Sequence, residues 1–355
     1  MARSLGAPPL IPVLARASTL TGIAAEAGVS VSTVSKVLNG RTDVAPGTRE
    51  RIGRLLRQHG YQPDSTLGFG VVDLLIGIGD CPPPTRHNPW AEELIHGAVE
   101  AAAQAQHSVI VTTVGSRSDF DHWLELATAR GTVGALSILH LPHGEELQRL
   151  AAAGIPVVVI DPVEEPGAGI RSVGTTNWHG GLSATRHLIE LGHRRIAAIG
   201  GPAGFWSSRA RLDGYRAAMQ DAGLAVDEVL IRRGQFSVAT GREQGLNLLG
   251  LADRARPTGI VTGSDAQAFG VLQALSMRGL RAPDDVSVVG FDDVPVAAWA
   301  APPLTTIRQP LAAMAATAFR MLRAGGADGE AQPDHVELAT TLVVRDSTSP
   351  PQTQS

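Results

Sequence analysis

The hydrophobic residues near the start of the chain recur at helical spacing in three short segments. The first segment ends at Gly28, and its inward face is formed by Leu20, Ile23, Ala24 and Ala27. Ser30 is placed to cap a second helix over residues 31–38, and a third helix is predicted within residues 46–59. Three short helices with a tight turn between the first two match the geometry that brings a recognition helix to the major groove of DNA. We expect a helix-turn-helix headpiece over residues 19–64.

Beyond residue 71 the pattern changes to continuous apolar runs separated by alanine-rich helical stretches. Runs of this kind, bounded by Gly, Pro or Asp, are typical of buried parallel strands joined by crossover helices. The predicted strands are 71–78, 108–114, 134–139, 156–160, 195–199, 259–262 and 286–291, and two predicted helices are 91–106 and 182–191. We therefore expect a doubly wound α/β body. No GxGxxG, GxxxxGK[ST], HExxH or GxSxG motif supports a nucleotide site, a zinc protease or a serine hydrolase.

Charge is distributed unevenly along the chain. The net charge of the 355 residues is −4, but residues 1–64 hold eight Lys and Arg against four acidic residues, so the remainder carries −8. A basic head on an acidic body favours phosphates as a local partner. No apolar run approaches the roughly 18 residues of a membrane span. We expect a cytoplasmic, nucleoid-associated protein that does not bind membranes.

Few residues are available for metal or redox chemistry. The single cysteine, Cys81, excludes an intrachain disulfide and a cysteine-clustered metal site. The eleven histidines show no metal-ligand spacing. We expect no metal, no cofactor and no catalytic residues.

The headpiece residues are more specific than their spacing, which would also fit an ordinary helical hairpin. The stretch AAEAGVSVSTVSKVLNG at 24–40, followed by TRERI at 48–52 and GYQP at 60–63, resembles the headpiece of the lactose-repressor (LacI) family. The resemblance implies that Val31, Ser32 and Lys36 read bases. It also implies backbone phosphate contacts from Leu20, Ser30, Thr33, Ser35, Asn39, Thr48 and Tyr61.

The sequence departs from the family after the headpiece. Family members continue into a hinge helix whose leucine wedges into the minor groove. Here residues 64–70 contain two glycines, which disfavour a helix, and Leu67 is the only candidate wedge. We expect a short hinge at 65–70 without the usual hinge helix.

Motifs along the whole body resemble the same family. They are NWHGG, HLIELGHRRI, RLDGY, PTGI, VVGFDD, PLTTIRQP and LVVR. The resemblance implies a two-lobed, periplasmic-binding-protein-like effector domain over residues 71–347, with a disordered leader at 1–18 and a disordered tail at 348–355. Lobe 1 would comprise 71–173 and 307–331, and lobe 2 would comprise 174–306 and 332–347.

A sugar effector requires paired hydrogen-bonding groups and an apolar platform. Asp292 follows a predicted buried strand, where open α/β sheets bind their ligands. The resemblance implies that Asp292 and Arg211 grip the effector, with further contacts from Phe236, Asp161, Trp90 and Ser264. Each residue has a structural alternative: Asp292 or Asp293 as a brace for the next segment, Arg211 as a surface cation, Phe236 and Trp90 as core. Trp178 and Trp206 are weaker candidates.

The most economical interpretation is a regulator without catalytic activity. It would be a homodimeric repressor of carbohydrate-utilisation genes that binds a palindromic operator on double-stranded DNA under control of a small sugar. The TNWHGGLSATRHLIELGH stretch resembles xylose and xylan-sugar regulators of actinobacteria, which implies a pentose or plant-derived oligosaccharide. A sugar-acting enzyme using Asp292 and Asp293 is disfavoured because adjacent strand-end carboxylates point in opposite directions. A transport receptor would need a signal peptide and no headpiece.

Overall fold

The computed structural model describes two separate units, which divide between Phe69 and Gly70. The described residues are 13–38, 44–45, 47–49, 51–52, 55, 70–77, 88–139, 142, 144–167, 169–324 and 333–352. The predicted phosphate contacts Asn39 and Tyr61 lie outside this part of the chain, as do Leu67, Cys81 and residues 65–69 of the predicted hinge.

The first unit is the predicted headpiece. It contains α1 (Val13–Ala27), α2 (Val31–Leu38) and further helical residues at 47–49, 51–52 and 55. Gly28 has a φ of +64°, a left-handed conformation that turns the chain tightly between α1 and α2. The buried core consists of Ile23, Ala24, Ala27, Val34 and Ile52. The inward faces predicted from the spacing are therefore confirmed.

The predicted disordered leader is wrong over residues 13–18, because α1 begins at Val13. Those residues read VLARAS and contain neither glycine nor proline, and most of them are good helix formers. The last proline of the leader, Pro12, precedes them, so no proline interrupts α1.

The second unit is an α/β body with two sheets, in agreement with the predicted fold class. Its strands are β1 (Val71–Gly77), β2 (Ser108–Val114), β3 (Gly134–Ile138), β4 (Val157–Ile160), β5 (Arg171–Thr175), β6 (Ile196–Gly200), β7 (Ile231–Arg233), β8 (Gly259–Thr262), β9 (Ser287–Asp292), β10 (Thr305–Arg308), β11 (His335–Leu338) and β12 (Thr341–Val343). Its helices are α3 (Pro89–Gln104), α4 (Arg117–Arg130), α5 (Gly144–Ala153), α6 (Asn177–Glu190), α7 (Trp206–Asp221), α8 (Val238–Leu249), α9 (Asp265–Met277), α10 (Pro295–Trp299) and α11 (Leu311–Ala324).

Each sheet defines one lobe. Lobe 1 has the strand order β11-β5-β4-β3-β1-β2, and lobe 2 has the order β12-β10-β9-β8-β6-β7. All neighbours pair in parallel except β10 and β12, which are antiparallel. Helices α3 and α11 cover the core of lobe 1, and α8 and α9 pack on that of lobe 2. Parallel strands with crossover helices explain why the strands are continuously apolar.

The predicted lobe boundaries need correction at the three crossings. Strand β11 pairs with β5 in lobe 1 and not in lobe 2, whereas β10, which includes Ile307 and Arg308, belongs to lobe 2. The chain therefore crosses near Thr176, at residues 309–310 and at residues 339–340. Short edge strands such as β11 carry no pattern that reveals which of two sheets they extend.

The predicted disordered tail is wrong over residues 348–352. Ser347 is fully buried; its hydroxyl donates to the Val288 carbonyl at 2.6 Å and accepts from the Thr305 amide at 2.8 Å. The carbonyl oxygen of Ser349 lies 2.9 Å from His193 Nε2 and accepts from the Ser287 hydroxyl at 3.1 Å. A Ser- and Thr-rich composition is typical of disorder. In this tail, however, the residues bond to buried polar groups of lobe 2.

Close packing of α6 against α7 positions the residues of the site. A Cβ atom at Gly181 would lie 2.0 Å from the Arg211 carbonyl oxygen, and one at Gly214 would lie 2.1 Å from that of Trp178. Only glycine permits this approach, which brings Trp178 and Gly181 of α6 against Arg211 and Gly214 of α7. None of the helices in the described ranges has the length and apolar character needed to cross a bilayer.

Candidate functional site

Aspartates with unusual backbone conformations follow two strands on opposite lobes. Asp161 succeeds β4 with a φ of 49°, Asp292 ends β9 with a φ of 124°, and Asp293 has a φ of 58°. Positive φ is uncommon for residues other than glycine and concentrates at functional sites. The carboxyl ends of parallel strands are also where open α/β sheets bind ligands. These aspartates therefore mark the edge of each lobe at which a ligand is expected.

Arg211 lies in the second turn of α7, which begins at Trp206. Its Nε donates to Asn177 Oδ1 at 2.8 Å, and its Nη1 donates to the Gly263 carbonyl at 2.6 Å. The guanidinium carbon lies 3.8 Å from the centroid of the Phe291 ring. With 8% of its surface exposed, Arg211 is a buried, fixed cation, which excludes the surface-cation alternative.

Asp292 faces this guanidinium. Its Oδ1 lies 3.8 Å from Arg211 Nη1 and accepts a hydrogen bond from Gln309 Nε2 at 2.7 Å. Burial raises the pKa of Asp292 to about 7, against the opposing effects of Arg211 and Gln309. Burial also raises the pKa of Asp161, which Arg211 opposes. The Arg211 cation therefore lies beside two carboxyl groups, Asp161 and Asp292, whose ionisation is opposed by burial. The positive charge of Arg211 is thus not in surplus at the site.

Asp293 points away from Asp292 and has a structural role. Its carboxylate accepts from Arg308 Nε at 2.6 Å and from Arg345 Nη2 at 2.7 Å. The opposite orientation of the two adjacent carboxylates agrees with the argument against an acid–base pair. The brace for the following segment comes instead from Asp265, whose Oδ2 accepts from the Val294 amide at 3.0 Å.

A cavity of about 260 Å³ opens between the lobes beside Arg211. Its walls include the loop after β4, the first turns of α6 and α7, and strands β5 and β11. The residues that line it are Asp161, Pro162, Gly174, Thr175, Thr176, Asn177, Trp178, His179, Trp206, Ser207, Ala210, His335 and Glu337. Of the six predicted effector contacts, Asp161 alone lines this cavity. Both weaker candidates, Trp178 and Trp206, also line it.

The other predicted effector residues lie elsewhere. Phe236 packs over Gly201, with its ring centroid 5.6 Å from the Arg211 guanidinium carbon. Ser264 caps α9, because its hydroxyl oxygen accepts from the Gln267 amide at 3.2 Å. Trp90 lies in the first turn of α3 and packs against the core of lobe 1.

Two residues of the site escaped the sequence prediction. Asn177 orients Arg211, and Gln309 holds Asp292. Asn177 belongs to the NWHGG motif and Gln309 to the PLTTIRQP motif. Both lie at crossings between the lobes, and only the fold brings them to their partners. In the described ranges, no group of three or more His, Cys, Asp and Glu residues could hold a metal ion.

The candidate DNA-binding surface is the outer face of α2. Val31 is 42% exposed and Ser32 and Lys36 are also exposed, whereas Thr33 and Ser35 are half-buried. The Ser30 hydroxyl accepts from the Thr33 amide at 3.2 Å, which is the predicted N-cap. In the rest of the headpiece, Leu20 packs half-buried against the core and Thr48 is half-buried.

Comparison with known proteins decides the family. Residues 19–64 match bacterial regulatory proteins of the lacI family, and residues 185–348 match a periplasmic binding protein-like domain. The chain is 30% identical to the transcriptional regulator DegA of Bacillus subtilis over 340 residues, covering 94% of this chain and 98% of DegA. It is 34% identical to CelR of Thermobifida fusca, again with 94% and 98% coverage. The chain belongs to the LacI family.

Solved LacI-family structures resemble the chain along most of its length. A CelR–cellobiose complex, 32% identical, superposes with a TM-score of 0.69 and covers 92% of this chain and 99% of CelR. A Lac repressor bound to ONPG, 25% identical, gives a TM-score of 0.67 with 93% and 99% coverage. The helix-turn-helix prediction, the two-lobed fold and the assignment to transcription regulation rather than catalysis are thereby confirmed.

Proposed function

We propose that this LacI-family regulator is a dimeric repressor of carbohydrate-utilisation genes, whose operator affinity is controlled by a neutral sugar bound between the lobes. The observation that carries the proposal is the buried pair of Arg211 and Asp292, 3.8 Å apart at the strand ends. Adjacent sugar hydroxyls can accept from a guanidinium and donate to a carboxylate. Among the relatives, one is the ribose operon repressor of Escherichia coli, 31% identical, and CelR has been solved with cellobiose.

The charges around Arg211 favour a neutral ligand over a sugar phosphate. Three buried carboxyl groups, those of Asp161, Asp265 and Asp292, act electrostatically on this one guanidinium. An anionic ligand would meet like charge and would lack a free cation, whereas hydroxyl groups satisfy both signs. In this proposal Phe236 provides apolar contact near Arg211. Ser264 and Trp90 receive less support, because Ser264 caps a helix and Trp90 packs against the core of lobe 1.

A sugar at this position acts by holding the lobes in one relative placement. It contacts Arg211 and Asp292 from lobe 2 and Asp161 from lobe 1, so its affinity differs between open and closed arrangements. Only such a difference in affinity lets a ligand shift a conformational equilibrium. In a two-fold dimer, lobe movement changes the spacing of the two headpieces and hence their fit to a palindrome.

The DNA contacts follow from the exposed face of α2. We assign base contacts to Val31, Ser32 and Lys36, and phosphate contacts to residues that flank them. The proposed phosphate contacts are Leu20, Ser30, Thr33, Ser35, Asn39, Thr48 and Tyr61. Small hydroxyl side chains and amides at helix ends suit phosphates, and exposed side chains of a recognition helix suit base edges. Such a regulator would work on the nucleoid.

The DNA half of the proposal is tested by fluorescence anisotropy with the full-length protein and promoter DNA upstream of its own gene. We expect selective binding over a scrambled duplex, with an affinity that falls steeply as salt rises from about 50 to 200 mM because counterions are released. Equal binding to both duplexes would contradict it.

The sugar half is tested by calorimetry with xylose, xylobiose, ribose, glucose and cellobiose. Asp292→Ala should abolish binding of whichever sugar binds the wild type, since the carboxylate accepts its hydroxyls. Asp293→Ala is the matched control, because that carboxylate pairs with Arg308 and Arg345 away from the site. Retained binding in Asp292→Ala would contradict the assignment.

A further inference from the structure

We propose that Asp265 is a positioning residue, which holds the Asp292 carboxylate in place for the effector without touching the effector itself. The inference rests on the proposed function, because that function makes Asp292 the carboxylate that binds the sugar. The side chain of Asp265 is fully buried, and Asp265 does not line the interlobe cavity. Asp265 can therefore act on a ligand only through the groups that it holds.

The carboxyl group of Asp265 connects three segments of lobe 2. Asp265 begins α9, the helix that follows β8. Its Oδ1 lies 2.5 Å from the hydroxyl oxygen of Thr306 in β10, and its Oδ2 accepts from the Val294 amide at 3.0 Å. Thr306 is also fully buried. Because Val294 directly follows Asp292 and Asp293, the bond to its amide fixes the chain immediately after the effector carboxylate.

A glycine in the intervening strand leaves room for this carboxyl group. Strand β9 lies between β8 and β10, and Gly290 of β9 pairs with Thr306 of β10. A Cβ atom at Gly290 would lie 2.2 Å from Asp265 Oδ1 and 3.1 Å from the Thr306 hydroxyl oxygen. Any side chain there would displace the carboxyl group, so only glycine permits the close approach. Gly290 is two residues before Asp292, and β9 therefore accommodates Asp265 next to the residue that it positions.

Asp292 needs such support because its backbone conformation is unfavourable. The φ of Asp292 is 124° and that of Asp293 is 58°. Residues other than glycine keep these conformations only where the surrounding structure enforces them. Gln309 binds Asp292 on one side of this turn, and Asp265 holds Val294 on the other. The backbone amide of Asp265 also bonds to the Asp292 carboxylate, and this bond acts to lower the pKa of Asp292.

Asp265 can hold these partners without a negative charge. Burial raises the pKa of Asp265 well above its usual range, and the charge of Asp292 raises it further. Beside an ionised Asp292, the neutral acid is therefore the favoured form of Asp265. A neutral carboxyl group bonds as a side-chain amide would, because one oxygen accepts from the Val294 amide while the protonated oxygen donates to the Thr306 hydroxyl. Asp265→Asn thus keeps both bonds, whereas Asp265→Ala removes both.

The test is calorimetry on the full-length protein across the neutral pH range, with whichever of xylose, xylobiose, ribose, glucose and cellobiose binds the wild type. Asp265→Ala should weaken binding at least about tenfold, because Asp292 relaxes from its strained conformation. It should also move the midpoint of the pH dependence upward, since Asp292 then loses bonds that lower its pKa. Asp265→Asn should retain the wild-type affinity and midpoint. Ser287→Ala is the matched control, because it removes a fully buried polar group at the opposite end of β9.

Three results would overturn the inference. If Asp265→Ala loses stability as Ser287→Ala does but binds sugar with the wild-type affinity and midpoint, Asp265 is only structural while the assignment of Asp292 stands. If Asp265→Asn binds as weakly as Asp265→Ala, the two hydrogen bonds do not position Asp292. If no sugar binds the wild type, or Asp292→Ala leaves binding unchanged, the proposed function fails together with this inference.

A milder variant keeps the inference testable if Asp265→Ala does not fold. Thr306→Val removes one of the two partners of Asp265 with little change of shape. It should weaken sugar binding and raise the midpoint of the pH dependence, each by less than the loss of both bonds. A folded Thr306→Val protein with the affinity and midpoint of the wild type would overturn the inference equally.

Discussion

Gln309 links Asp292 of lobe 2 to the end of a lobe 1 strand. Its side-chain Nε2 donates to Asp292 Oδ1 at 2.7 Å, and its Oε1 accepts from the Thr175 hydroxyl at 3.0 Å. The Gln309 amide also donates to the Asp292 carbonyl at 3.1 Å. Gln309 stands where the chain leaves β10 for α11, so one buried amide connects the proposed sugar carboxylate to two of the three crossings.

Gln309→Ala should weaken the response of operator binding to sugar more than it weakens sugar binding itself. The substitution leaves the Thr175 hydroxyl unpaired and frees the strand end from Asp292, at a cost of about 1–3 kcal/mol in stability. The measurement is the ratio of operator affinities with and without saturating sugar, which should shrink severalfold. Gln220→Ala, at an exposed position on α7, should leave that ratio unchanged. An unaltered ratio in Gln309→Ala would show that the crossings respond independently of this amide.

Sugar affinity should rise with pH through the neutral range. The pKa of Asp292 is raised to about 7, so at pH 6 only about a tenth of the protein carries the ionised carboxylate that accepts sugar hydroxyls. Because the sugar binds the ionised form, binding favours loss of this proton, and the apparent Kd should fall about tenfold between pH 6 and pH 8. Calorimetry in two buffers of different ionisation enthalpy should detect proton release near pH 7. In Asp292→Asn the pH dependence should disappear; its persistence there would assign it to another group.

Substitutions at Ser30 and Ser32 of the headpiece should separate stability from recognition. Ser30→Ala removes the cap of α2 and should cost about 1 kcal/mol in the unfolding of the headpiece. Ser32→Ala alters an exposed hydroxyl on the outer face that lies 2.7 Å from the Ser30 hydroxyl, while the Thr33 amide still donates to Ser30. It should therefore cost less stability than Ser30→Ala and weaken operator binding. The two measurements are thermal denaturation and anisotropy with operator DNA. Equal destabilisation by both substitutions would contradict the assignment of the cap to Ser30.

Truncation after Asp346 should destabilise lobe 2 by several kcal/mol. The loss of residues 347–355 removes the partners of the Val288 carbonyl, the Val288 amide and the Thr305 amide, each worth about 1–3 kcal/mol when left unpaired in the core. Gln352→Ala is the control, because Gln352 is exposed on the tail and the variant should unfold like the wild type. Chemical denaturation monitored by circular dichroism distinguishes the two. A truncated chain as stable as the full chain would refute the structural role of the tail.

Continuous apolar runs allowed the central strands to be predicted from the sequence. Strand β8 has the predicted bounds, Gly259–Thr262, because a strand buried on both faces needs no partner to specify its pattern. Strands β5, β7, β10, β11 and β12 were missed. They are short, and β7, β11 and β12 lie at sheet edges, where side chains are half-exposed and the pattern is weak.

The residues of the site, like the strands, could be predicted from the sequence only in part. Asp292 and Arg211 could be proposed from motifs that each stand on a single element. Asn177 and Gln309 act across 34 and 17 residues of sequence through the crossings, and no local pattern records such a contact. The tail shows a further limit: its Ser- and Pro-rich composition is typical of disorder, yet buried groups of lobe 2 bind it.

During synthesis, the headpiece sequence leaves the ribosome long before the chain reaches β11, β12 and Ser349. Domains generally fold in the order in which they emerge, so the unit that reads DNA can form while both lobes still lack an edge strand. A nonsense mutation just before the codon for His335 would therefore leave the operator-reading segment intact beside a sensor with incomplete sheets. Such a truncated chain would be expected to act as a sugar-blind product and not as a simple null.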